Sequence, residues 1–223
     1  MRFDVISIFP EAFRPDTQPL LRQGVVGRAI QRGLVQLDAH DLRDHTHDRH
    51  RQVDDLPFGG GAGMVLKPEP VFEAVEAVRP FNAGALVLLE PWGEQLTQGL
   101  AAELATEPGL IVVCGRYEGI DDRVREGLAA REISVGDYVV SGGEIPALLL
   151  IEAVARLLPG VLGDEASLGQ DTFSGEGGYP QYTRPAEYRG MRVPEVLLSG
   201  NHSRIQDWRR HNARRPFTAE KTR

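Results

Sequence analysis

The chain has 223 residues, 41% of them apolar, which suffices for one sizeable domain with a small appendage. Its formal net charge of −7 argues against a simple basic nucleic-acid binder. A single cysteine, Cys114, excludes an internal disulfide and fits a reducing cytoplasm.

Residues 2–9 read as a buried first strand, too short and interrupted for a signal peptide. Residues 25–32 read as a helix stopped near Gly33. Residues 34–41 alternate apolar and polar side chains, as a half-buried strand does. A polar, then glycine-rich loop fills 42–66 and is long for a compact domain. Pro68 and Pro70 open a helix that runs to Val78. The continuous apolar run Ala85–Leu89 predicts a strand covered on both faces, with a turn at Glu90–Gly93. Thr97 is placed to cap a helix ending near Ala105. Then follow a strand over 110–114, a helix over 121–130, a strand over 132–135 and a helix near 146–158. Strands alternating with helices predict an α/β fold, a parallel sheet with helices on both faces. The apolar stretch from Ile145 to Leu158 carries Glu152 and Arg156, so it is not a membrane span. Residues 161–181 are glycine-rich and aperiodic and read as a linker or lid. A basic helix is expected from Ser203 to Arg215, within a small basic segment spanning 182–223.

Charge is unevenly spread. Residues 1–160 carry 15 basic and 24 acidic side chains, a net of −9; residues 182–223 carry 10 and 4, a net of +6. A positive tail on a negative body suits either a polyanion partner gripped locally or a solvated arginine-rich helix.

Three loops follow the apolar strands: Leu88–Gly93, Cys114–Asp121 and Ser134–Pro146. Neither glycine-bracketed loop matches a dinucleotide or P-loop fingerprint. In a parallel sheet all three leave one edge, where ligands bind. Together they can offer backbone donors and acceptors between apolar walls, suited to an adenine ring, with no lysine for a triphosphate. Asp44, His45, His47, Asp48 and His50 look metal-like, but their spacing fits neither a helix face nor a usual zinc set.

The strings Cys114-Gly-Arg-Tyr-Glu-Gly-Ile-Asp121 and Gly136-Asp-Tyr-Val-Val-Ser-Gly-Gly-Glu-Ile-Pro146 closely resemble the bacterial tRNA (guanine-N1)-methyltransferase family, of the trefoil-knotted SPOUT class. The resemblance continues through Ile8-Phe9-Pro10, Thr46–Arg51 with Asp54-Asp55, Pro57–Met64, Asp171-Thr172-Phe173, Tyr182–Pro185 and Val193–His202. It implies a deep trefoil knot in the α/β domain (1–160), a small mainly helical tRNA-binding domain (182–223), and a cytoplasmic homodimer with its active site at the subunit interface. It implies S-adenosylmethionine as cofactor, contacted by Leu88, Glu90, Pro91, Gly93, Gly115, Tyr117, Glu118, Ser134, Val135, Gly136, Tyr138, Val140, Gly142, Gly143 and Pro146. It implies methylation of N1 of guanosine 37 in tRNA. Asp171 matches the family's general base, and Arg156 matches an arginine that offsets charge on O6. Mg²⁺ dependence is also implied, with Glu118 a candidate ligand. On the RNA side the resemblance puts Arg49, Arg51, Asp54, Phe58 and Gly59. In the basic tail, Arg184, His202, Arg204, Arg209 and Arg210 are candidates for phosphate contact.

Overall fold

A computed structural model describes residues 1–163, 173 and 178–214 of the chain. It divides into two compact units, Met1–Gly163 and Asp164–Arg223. Asp171 therefore lies outside the described residues, as do Thr172 and Arg215.

The first unit runs β1 (Arg2–Ser7), α1 (Pro19–Arg22), α2 (Gly24–Gln31), β2 (Gln36–Asp41), β3 (Asp54–Asp55), β4 (Val65–Leu66), α3 (Pro68–Val78), β5 (Ala85–Gln95), α4 (Gln98–Leu104), β6 (Gly109–Cys114), α5 (Asp122–Leu128), β7 (Arg131–Ser134) and α6 (Glu144–Ala155). Single turns of 3₁₀ helix follow β1 at Pro10–Phe13 and β2 at Leu42–His45. The five longer strands form one parallel sheet in the order β2-β1-β6-β5-β7, and β3 and β4 pair as a small antiparallel ribbon.

Strand side chains alternate between two layers. Phe3, Val5, Val87, Leu89, Leu110 and Val112 pack with residues of α1, α2, α4 and α6. Ile6, Leu86, Leu88, Ile111 and Val113 pack with residues of α3 and α5. The sheet is thus covered on both faces, which explains why β6 is apolar along most of its length and fully buried. Helix starts follow their caps. The Thr97 hydroxyl accepts from Leu100 N at 3.2 Å, and Asp121 Oδ1 accepts from Arg123 N at 3.0 Å.

Boundaries differ from expectation at several places. Strand β1 stops at Ser7, because Phe9 and Pro10 start the 3₁₀ turn. Residues Glu90–Gly93 do not turn the chain. Strand β5 runs on to Gln95, and its register against β7 shifts between Leu89 and Glu94, so that Glu94 and Gln95 pair with Ile133 and Ser134. Four residues bulge out of the ladder in between. Helix α6 starts at Glu144 and ends at Ala155, two to three residues earlier at each end than the spacing predicts.

At the amino end of the sheet, Asp4 is fully buried beside Arg2, His40 and Asn82. Burial pushes its carboxyl up, but the hydrogen bonds from these three hold it well below the usual carboxylate range.

In the second unit, β8 (Glu187–Tyr188) and β9 (Met191–Arg192) form a short antiparallel ribbon, followed by α7 (Glu195–Leu198) and α8 (His202–His211). Asn201 caps α8 by accepting from Arg204 N at 3.1 Å. Tyr182 meets Trp208 edge-on, with ring centroids 6.2 Å apart. The helix ends at His211, with Asn212 as its C-cap.

Candidate functional site

Three segments leave the carboxyl ends of the neighbouring strands β6, β5 and β7, and so converge on one edge of the sheet. They are the bulge of β5, the loop after Cys114 and the loop after Ser134. Between them lies a cavity of about 210 Å³. Its walls include Glu90, Pro91, Gly115, Tyr117, Glu118, Ser134, Val135, Tyr138, Val140, Gly142, Gly143 and Pro146. Leu88, Gly93 and Gly136 are not among the wall residues. Leu88 points into the α3–α5 layer, whereas its neighbour Leu89 faces the cavity side. Leu89, Trp92, Arg116, Gly119, Ile133, Val139 and Ser141 also line the cavity, and sequence reasoning did not single them out.

Main chain holds the loops together. Gly143 N donates to Gly115 O at 2.8 Å, and Arg116 and Gly142 form an antiparallel bridge. This approach requires glycine at 143, since a Cβ there would lie 2.7 Å from Cys114 Cα. The third loop folds on itself: Ser134 Oγ donates to Gly136 O at 3.0 Å, and Tyr138 N donates to the same carbonyl at 2.9 Å. The glycine-rich segment 57–64 is tied to the second loop, because Glu118 N donates to Met64 O at 2.9 Å and Leu66 N to Gly119 O at 3.0 Å.

One ionic cluster braces the floor. Glu144 is buried; it accepts from Ser7 Oγ at 2.7 Å and from Arg116 Nε at 2.9 Å. Arg116 also donates to Ser141 O at 3.1 Å, and its guanidinium lies 4.7 Å from the centre of the Phe9 ring. Arg116 is the cation in the cavity wall, and its charge is committed to Glu144. Among the described residues the wall therefore offers no uncommitted cation for a phosphate, but it does offer backbone polar groups, aromatic rims and two acids, Glu90 and Glu118. Burial, with some help from Glu132 and opposed by the Ile120 amide, pushes the Glu90 carboxyl up to about 7. Burial also raises the Cys114 thiol well above its usual range, with Glu144 adding to the effect, so Cys114 is a packing residue rather than a nucleophile.

Outside the cavity, Arg156 is the partly buried C-cap of α6. Arg49 is exposed. Arg51 pairs with Asp44 and donates from Nε to Arg43 O at 3.2 Å. Asp54 sits in β3, while Phe58 is 98% exposed beside Gly59 in the glycine-rich segment. In the second unit Arg184, His202, Arg204 and Arg210 are exposed, and Arg209 lies 4.9 Å from the centre of the Tyr179 ring.

The described residues do not gather ligands for a protein-held Mg²⁺. No group of three or more His, Cys, Asp or Glu among them could hold a metal ion. The acid- and histidine-rich run is spent locally. His47 Nε2 meets Glu73 at 2.9 Å, and Asp48 accepts from His50 N and Gln52 N. Glu118 packs against Gly63. No described helix is long and apolar enough to cross a membrane.

Comparison with known proteins gives a consistent result. The family description tRNA (Guanine-1)-methyltransferase TrmD matches residues 1–222. The chain is similar to the tRNA (guanine-N(1)-)-methyltransferase of Persephonella marina, 50% identical over 213 residues that cover 94% of this chain and 82% of the relative. Similar proteins of the same description occur in Dictyoglomus turgidum, 48% identical over 230 residues (100% and 91% of the two chains), and in Geobacillus kaustophilus, 50% identical over 220 residues (97% and 88%).

Proposed function

The chain belongs to the tRNA (guanine-1)-methyltransferase family, and we propose that it methylates N1 of guanosine 37 in tRNA, next to the anticodon, using S-adenosylmethionine. The observation that carries this reading is the cavity where three strand-end loops meet. Its walls are largely main chain and apolar or aromatic side chains, and the one cation among the described wall residues, Arg116, is neutralised by Glu144. That chemistry suits a nucleoside without phosphates.

When bound, the cofactor supplies the methyl group. Glu90, Gly115, Tyr117, Ser134, Tyr138, Val140 and Gly142 would hold it, with Leu88, Gly93 and Gly136 contributing through the backbone of the same loops. N1 of guanine carries a proton and is a poor nucleophile. In this reading Asp171 accepts that proton, a role worth typically ~10²–10⁴-fold in rate. Arg156 offsets the negative charge that gathers on O6. Support for both roles comes from the sequence resemblance around them.

Two further features belong to the same proposal. A deep trefoil knot would join the second and third loops; the Gly143–Gly115 hydrogen bond is in keeping with it. A homodimer would complete the site with the partner's lid and basic segment. Leu20 (69% exposed), Ile145 (71%) and Leu149 (45%) flank an apolar groove between α1–α2 and α6, a face suited to a second copy. The net +6 of residues 182–223, with its arginines on α8, suits the phosphates of tRNA. The enzyme would act in the cytoplasm, where its substrate is.

The test is mass spectrometry of tRNA transcripts incubated with the protein and S-adenosylmethionine. A methyl group mapped to N1 of guanosine 37 is expected, and Asp171→Ala should lower the rate by about 10²–10⁴-fold while leaving cofactor binding intact. Unmodified guanine with the wild-type protein overturns the assignment.

A further inference from the structure

One polar atom of the cavity wall has nothing to bond. Glu90 is only 5% exposed, and its Oε1 is sealed without a hydrogen-bond partner among the described residues. The Ile120 amide donates to the carboxyl, and the nearby charge of Glu132 is of the same sign. Buried polar groups nearly always find partners, and a lone buried carboxyl is costly. An apolar side chain would pack this position at lower cost. A carboxyl kept here therefore points to a donor that arrives with a ligand.

Its placement narrows that donor. Glu90 stands at the carboxyl end of the run that pairs β5 with β6, with β7 on the other side, where parallel sheets bind ligands. Its neighbours across the loop are bare main chain. A Cβ on Gly115 would come 3.1 Å from Oε1, and one on Gly119 would come 3.6 Å from both carboxylate oxygens. The two glycines keep side chains from standing between the carboxyl and the second loop. An acid at a strand end, beside a glycine loop, is how dinucleotide folds hold the hydroxyls of a ribose. Here the phosphate cradle is missing, and the acid remains.

We propose that Glu90 accepts a hydrogen bond from the ribose hydroxyls of the cofactor and makes the cavity selective for ribonucleosides over deoxyribonucleosides. This rests on the reading of the cavity as the S-adenosylmethionine site.

Calorimetric titration of the full-length protein at pH 8 tests it, with S-adenosylhomocysteine and its 2′-deoxy and 3′-deoxy counterparts as probes. The wild type should bind at least one deoxy probe about ten- to a hundred-fold more weakly than the ribo probe. Glu90→Met, which keeps the volume and removes the acceptor, should bind all three with similar affinity. Glu90→Gln, which keeps the shape and loses the charge, should narrow the gap and carries the test if the methionine variant does not fold. Equal affinity of the wild type for ribo and deoxy probes overturns the ribose assignment alone. An unchanged gap in both variants also overturns it and leaves the carboxyl a packing role. If the wild type binds none of the three, the cofactor reading falls, and the ribose assignment with it.

Discussion

Glu90 and Asp4 are both buried acids, yet they tie stability to pH in opposite directions. Asp4 has Arg2, His40 and Asn82 around it and is held below its ordinary range, so its contribution is present at neutral pH and fades as acid protonates it. Glu90 has no counter-charge among the described residues, and burial pushes its carboxyl up from 4.5 to about 7. Between those values the folded protein holds a proton that the unfolded chain has lost, so stability falls as pH rises from about 4.5 to about 7. A shift of that size corresponds to roughly 3 kcal/mol. Glu90→Gln removes the titration. Denaturant unfolding should show it more stable than the ligand-free wild type at pH 8, by up to about 3 kcal/mol, and nearly equal at pH 4.5. A variant that gains nothing at pH 8 would show that the carboxyl is solvated. The sequence names Glu90 only as one of many residues in a familiar string. Its isolation was not legible, because it depends on which side chains come near across the sheet. For the same reason Arg116 passed as one letter of a motif, although its partner Glu144 is 28 positions away and theirs, Ser7, is 137 from Glu144.

At the scale of elements, close approach between backbones decides the architecture of the cavity. A methyl group on Gly143 would meet Cys114 Cα at 2.7 Å and Gly115 N at 2.9 Å, both main-chain atoms that cannot swing aside. Gly143→Ala should therefore part the second and third loops. The expected cost is about 1–3 kcal/mol of stability, read in a denaturant midpoint, with a clear loss of S-adenosylhomocysteine affinity in calorimetry. Gly163→Ala is the control, since a Cβ there meets nothing within 4 Å among the described residues and should leave both readings unchanged. Five strands and their helices were legible from apolar runs and caps, as the Thr97 cap illustrates. The continuation of β5 past Pro91 was not. Proline and glycine in Glu90–Gly93 read locally as a turn, and only the ladder to Ile133 and Ser134 makes them a bulge. Strand order was equally hidden, since β1 pairs with β6 more than a hundred residues away.

For the whole molecule, the α6 face sets the expected assembly. Ile145 and Leu149 lie one helical turn apart and remain exposed on a helix whose other faces are core. Sedimentation equilibrium should find a dimer. Ile145→Asp, which places a charge in that apolar face, should shift it to monomer and abolish tRNA methylation while leaving the monomer folded. A wild type that sediments as a monomer at micromolar concentration would refute the shared site. The family strings made the overall assignment legible. Periodicity alone gave the layers, because burial on two faces leaves an apolar signature.

The brace from Ser7 through Glu144 to Arg116 spans most of the first unit. A nascent chain emerging from the ribosome carries Ser7 early, but it has no carboxylate to receive it until α6 has cleared the exit tunnel. The floor of the cavity is therefore closed only after the last helix of the first unit has been made.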